Sequence, residues 1–104
     1  MEKFELRYFF DPGSGICLWS ENDVAIERFG YAVELDGLGL NSALKLRAEE
    51  LIARFNTSID WTYPPNASPW SAMERERFKM DSARLLRSLQ ECLGPDFEIR
   101  DCTR

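Results

Sequence analysis

Catalysis needs a nucleophile, a base, metal ligands or an anion cradle, and this chain of 104 residues offers few candidates. It has no histidine, so Ser-His and Cys-His pairs cannot form and the commonest general base is missing. Its three cysteines (Cys17, Cys92 and Cys102) make neither a CxxC pair nor a metal-binding cluster. They read as small core residues with reduced thiols. Gly13-Ser14-Gly15 lacks the length and the following helix of a phosphate loop, and it sits where a hairpin turn belongs. Glu49 and Glu50 are adjacent carboxylates, but i,i+1 neighbours on a helix point apart. No Walker or HExxH motif is present. The expectation is a protein without catalytic residues, metal or cofactor.

What remains for function is charge and aromatic surface. The net charge is −5, and it is unevenly spread. Residues 21–50 carry seven acids against three bases, whereas residues 51–104 carry eight of each. Five of the acids, Glu21, Asp23, Glu27, Glu34 and Asp36, fall in one short segment. Such a field repels nucleic acid and attracts basic partners, unless it serves only to keep the protein soluble. No apolar run approaches the ~18 residues of a membrane span, and MEKFELRYFF lacks the order of a signal peptide. A cytoplasmic, non-membrane protein of one domain, residues 1–104, is expected.

The elements that position these residues follow from periodicity. Residues 3–10 alternate, with Phe4, Leu6, Tyr8 and Phe10 on one face and Glu5 and Arg7 on the other, as in a half-buried strand. Asp11 to Gly15 is a turn, and Ile16–Ser20 the returning strand. Asn22 or Asp23 can cap a short helix over VAIERF, which Gly30 ends; YAVEL then looks extended. A longer helix starts near Asn41/Ser42, with an apolar stripe through Leu44, Ala48, Leu51, Ile52, Phe55 and Ile59.

The last helix can begin at Ser68 with Pro69 at its first position, or at a Ser71/Glu74 capping box. Its stripe runs through Met73, Phe78, Ser82, Leu85, Leu89 and Cys92/Leu93, and Gly94-Pro95 stops it after at most about 25 residues. FEIRDC forms the third strand. Antiparallel pairing with the first strand sets Glu5 against Arg100 and Arg7 against Glu98, with Leu6 meeting Ile99 and Tyr8 meeting Phe97. A parallel register opposes like charges. The predicted fold is α+β: a two-layer sandwich whose three-stranded antiparallel sheet, order 2-1-3, carries two main helices and one short helix on one face.

Between the two long helices lies NTSIDWTYPPNASPWS, which crowds Trp61, Tyr63 and Trp70 among Pro64, Pro65 and Pro69. Prolines make this an ordered connector, whose aromatics are either buried or held out for a partner.

CLWSEND (17–23), RFGYAVEL (28–35), IDWTYPP (59–65) and SPWSAMERERF (68–78) together resemble small bacterial immunity proteins of polymorphic toxins, in particular those of contact-dependent growth inhibition systems. The resemblance implies a cytoplasmic antitoxin that binds the C-terminal domain of one cognate toxin, one to one, and covers its active site or substrate groove. Many toxins of such systems are nucleases, which need a basic groove for phosphates. The toxin-binding residues expected on this reading are Glu21, Asp23, Glu27, Glu34, Asp36 and Asp60, with Trp61 and Tyr63 as aromatic anchors. Two rivals predict different behaviour. A non-catalytic adaptor would bind some other basic protein, and a small cysteine or carboxylate enzyme would need a deep pocket at Cys17 or Cys102.

Overall fold

Strand β1 (Phe4–Tyr8) is the middle of the sheet in the computed structural model, which describes residues 2–103. Leu6 and Tyr8 are fully buried beneath the helices, while Glu5 and Arg7 alternate onto the opposite face. Strand β2 (Leu18–Ser20) returns antiparallel and sets Trp19 opposite Arg7. It is shorter than the expected Ile16–Ser20, because the loop closes through Gly13 and Gly15 at positive φ. Helix α1 (Asp23–Phe29) is capped by the Asn22 side chain, which accepts from the Ala25 N–H, and Gly30 ends it at φ 81°. The extended run expected over YAVEL shrinks to one bridge, Trp19 with Ala32, followed by a 3-10 turn over Leu35–Leu38.

Helix α2 (Ser42–Asn56) starts at an Asn41 cap and buries Leu44, Ala48 and Leu51. Ile59 lies beyond its end, so the stripe is one turn shorter than the spacing suggested. Helix α3 (Ala72–Leu93) takes the Ser71 cap, whose hydroxyl accepts from the Glu74 N–H, and leaves Ser68 and Pro69 in the connector. Its 22 residues bury Phe78, Ser82, Leu85 and Leu89. Met73 is 72% exposed, so the stripe begins one turn later than read. Cys92 is exposed as well; of the three thiols only Cys17 is in the core.

Strand β3 (Phe97–Asp101) completes the order β2-β1-β3, and here the sequence expectation fails. The β1–β3 pair is parallel, with Glu5 beside Glu98 and Arg7 beside Arg100, so the sheet is mixed. The direction of α3 decides this. Phe78 packs on Phe10, 5.1 Å between ring centroids, and the Tyr8 hydroxyl bonds to both the carbonyl (3.0 Å) and the hydroxyl (3.1 Å) of Ser82. The helix therefore runs back along β1 and ends near Phe4, where Phe97 meets that ring at 5.1 Å. A short Gly94–Asp96 turn then sends β3 in the direction of β1.

Charge pairing across neighbouring strands is worth only about 0.2–1 kcal/mol per pair, and here the like charges oppose on the half-buried outer face of the sheet. A reversed strand would keep Ile99 beside Leu6 but would take Phe97 away from the Phe4 and Phe29 rings it packs on, where an apolar side chain is worth more. The like charges also find partners elsewhere. Asn22 donates to the Glu5 carboxylate at 2.9 Å, Arg7 donates to the Tyr31 hydroxyl at 3.1 Å, and Arg100 pairs with Glu21. Ser82 is explained by the same anchor: it is a polar residue in an apolar stripe because Tyr8 needs it.

Candidate functional site

The connector splits its aromatics. Trp70 turns inward against Phe55 and Phe78 and donates its indole N–H to the Thr57 hydroxyl at 2.7 Å. Trp61 and Tyr63 stay out, 56% and 59% exposed. Trp61 is nevertheless held in place. Its indole donates to the Asn56 carbonyl at 2.7 Å, and its ring lies 3.5 Å from where a Cβ on Gly13 would stand. The Asn56 side chain in turn accepts from the Gly13 N–H at 2.9 Å, tying the β1–β2 loop to the end of α2.

Asp60 builds the loop that carries these rings. Its carboxylate accepts from the Thr62 and Tyr63 N–H groups, at 3.0 and 3.3 Å, and from the Asn66 amide at 3.1 Å. The Asn66 bond, then the backbone bonds, hold its pKa below the ordinary carboxylate range. It acts first as a positioning residue for Trp61 and Tyr63.

Asn56 also borders a hollow of about 340 Å³ between α2, the 3-10 turn and the β1–β2 loop. Its rim carries Glu34, Asp36 and Glu49 against the single base Lys45. Lys45 pairs with Asp36 and reaches Glu49 at 3.7 Å. Hydrogen bonding to Asp36, and then the charge of that carboxylate, raises the Lys45 pKa. Three carboxylates against one ammonium leave this rim negative. Sequence reasoning missed Glu49 and Lys45 as site residues; their i,i+4 spacing one helix beyond the acidic segment was the available signal.

The remaining acids lie elsewhere. Asp23 and Glu27 are exposed on α1, and Glu21 is engaged by Arg100 at the end of the sheet. The structure thus joins Glu34 and Asp36 in one hollow, with Trp61 and Tyr63 on the adjoining loop, and does not place the Glu21–Arg100 pair in it.

A larger cleft, about 980 Å³, opens where β1 and β3 end against α3. Its walls include Phe10, Phe55, Trp70 and Phe78, with Arg75 and Lys79 balanced by Asp11 and Asp101. Cys102 borders it, half-buried, with neither a histidine nor another cysteine among the lining residues. Cys17 is buried, and desolvation pushes its thiol up to about 12, so it is protonated at neutral pH and unsuited to nucleophilic attack. Among the described residues, no group of three Cys, Asp or Glu side chains could hold a metal ion, and no helix is long and apolar enough to cross a membrane.

With this geometry in view, comparison with known families is decisive. A family model described as Serratia CdiI immunity protein-like matches residues 6–102, nearly the whole chain. The chain belongs to that family. It is an immunity protein of the contact-dependent growth inhibition type, as the phrases around CLWSEND and IDWTYPP suggested. No curated protein matches it. Membership turns the question from which reaction the surface performs to which surface meets a toxin.

Proposed function

We propose that this immunity protein works without catalysis in the cytoplasm, binding the C-terminal domain of its cognate toxin one to one and covering that domain's active site or substrate groove. The toxin is a nuclease on this reading, because a groove built to hold phosphates is basic and complements an acidic cover. The observation that carries the proposal is the negative hollow of Glu34, Asp36 and Glu49 beside two exposed, pre-positioned aromatics. Trp61 arrives already ordered by Asn56 and Gly13, which reduces the conformational entropy lost on binding. Asp60 contributes by holding the loop. Asp23, Glu27 and Glu21 extend the negative field that steers encounter, with Glu21 partly neutralised by Arg100.

The neutral cleft at the strand ends is a weaker match for a basic partner, since its two bases and two acids cancel. Amide hydrogen exchange on the purified complex tests the choice. Protection on binding is expected at residues 13–16, 34–38, 45–56 and 60–63. Protection confined to residues 75–83 and 101–103 would move the interface to the cleft and overturn this assignment.

A further inference from the structure

A three-stranded sheet has two edges, and here one is covered by following chain while the other is closed over its first half only. The edge of β2 is covered by the chain that follows α1: Ser20 N–H donates to Tyr31 O at 2.8 Å and Val33 N–H to Leu18 O at 3.0 Å. Among the described residues, no strand covers β3. Phe4 N–H donates to Asp96 O and Cys102 N–H to Tyr8 O, so the even-numbered residues of this segment turn their backbone groups to β1. Phe97, Ile99 and Asp101 therefore turn theirs outward.

One side chain occupies that position. The Gln90 amide donates to Phe97 O at 2.7 Å and accepts from Ile99 N–H at 3.1 Å. It pairs with β3 as a neighbouring strand would, using a primary amide in place of a peptide group. Phe97 N–H is bonded to Gly94 O at 3.2 Å, so Gln90 completes closure of the first half of the edge.

An open edge strand is a template for another strand, and native proteins block such edges. The sequence of β3 makes a second copy of this chain the fitting occupant. A two-fold antiparallel pairing centred on Ile99 sets Glu98 against Arg100 of the other copy, twice, and Phe97 against Asp101. Those charge pairs are attractive, with each Arg100 shared between Glu21 of its own chain and Glu98 of the other copy, and the contact is self-complementary as a two-fold interface requires. The charges that oppose unfavourably inside the sheet are thus well arranged for self-pairing across its edge.

We infer that β3 is a latent self-pairing edge, and that Gln90 keeps the protein monomeric by standing in for the missing strand. The test is sedimentation equilibrium on the full chain, with near-UV dichroism as the check on folding. The wild type is expected to sediment as a monomer, Gln90→Ala at twice that mass, and Gln90→Ala/Glu98→Lys as a monomer again. A natively folded Gln90→Ala chain that stays monomeric overturns the inference. So does a wild-type dimer, or growth beyond two copies, since two-fold pairing uses up the edge. Should Gln90→Ala lose its native spectrum, Gln90→Met, close to glutamine in length, serves instead. In the monomeric wild type, exchange of the Ile99 amide checks the Gln90 contact on which the inference rests. Gln90 should hold it as slow as the β1–β3 ladder amides, and exchange at the rate of a free amide would contradict the inference.

Discussion

Replacing Asp23, Glu34 and Asp36 together by lysine slows toxin association and weakens protection while the protein stays folded. The substitutions turn three negative charges positive on one chain. Steering by complementary charge raises association rates by about 10- to 1,000-fold. A loss within that range is therefore expected, largest at low salt and shrinking as ionic strength rises. All three residues are exposed, and the one ion pair sacrificed, Asp36 with Lys45, is exposed too, so the unfolding midpoint should barely move. Stopped-flow association with the toxin domain across a salt series reads the effect. An unchanged rate with full protection would remove charge steering from the account.

The largest stability effect is expected from Leu89→Ala. Leu89 has no exposed surface and lies on α3 among the core residues, where truncation removes buried apolar area and leaves a cavity. A loss of about 2–5 kcal/mol is expected, a large part of the ~5–15 kcal/mol that holds a typical small domain together. Leu6→Ala, in the central strand, belongs to the same class. Urea unfolding gives the number, and a cost well under 1 kcal/mol would mean that α3 is not packed as described. The two classes of variant separate cleanly. Core variants should lose protection only in proportion to the fraction unfolded, whereas the lysine variant should lose it while folded.

Most elements could be read from local pattern, because their signals are local. The alternation of Phe4 to Tyr8, the Asn22 and Asn41 caps, and the Gly30 and Gly94 stops each act within a few residues. The direction of β3 could not be read in this way. It depends on Tyr8 meeting Ser82, a contact between residues 74 apart in sequence, which outweighs the visible charge pattern of Glu5, Arg7, Glu98 and Arg100. The start of α3 was ambiguous for a related reason. Ser68 and Ser71 are both good caps, and the inward turn of Trp70 against Phe55 and Phe78 accompanies the choice of Ser71.

Of the candidate surface, the acids and the outward aromatics were legible as residue types. That Glu34, Asp36 and Glu49 share one hollow was not, since it takes a 3-10 turn folding onto α2. Nor did the sequence separate Glu21 from the other acids, because its partner Arg100 lies in the last strand.

The central claim is that the chain neutralises one toxin by binding it. The most direct measurement is to express the C-terminal domain of the protein encoded immediately upstream, alone and together with the immunity protein, and to follow survival and co-purification. The account predicts that the domain kills cells alone, that the pair is harmless, and that the two chains purify together in equal amounts with the toxin inactive. A lethal domain that this chain neither binds nor silences would contradict it.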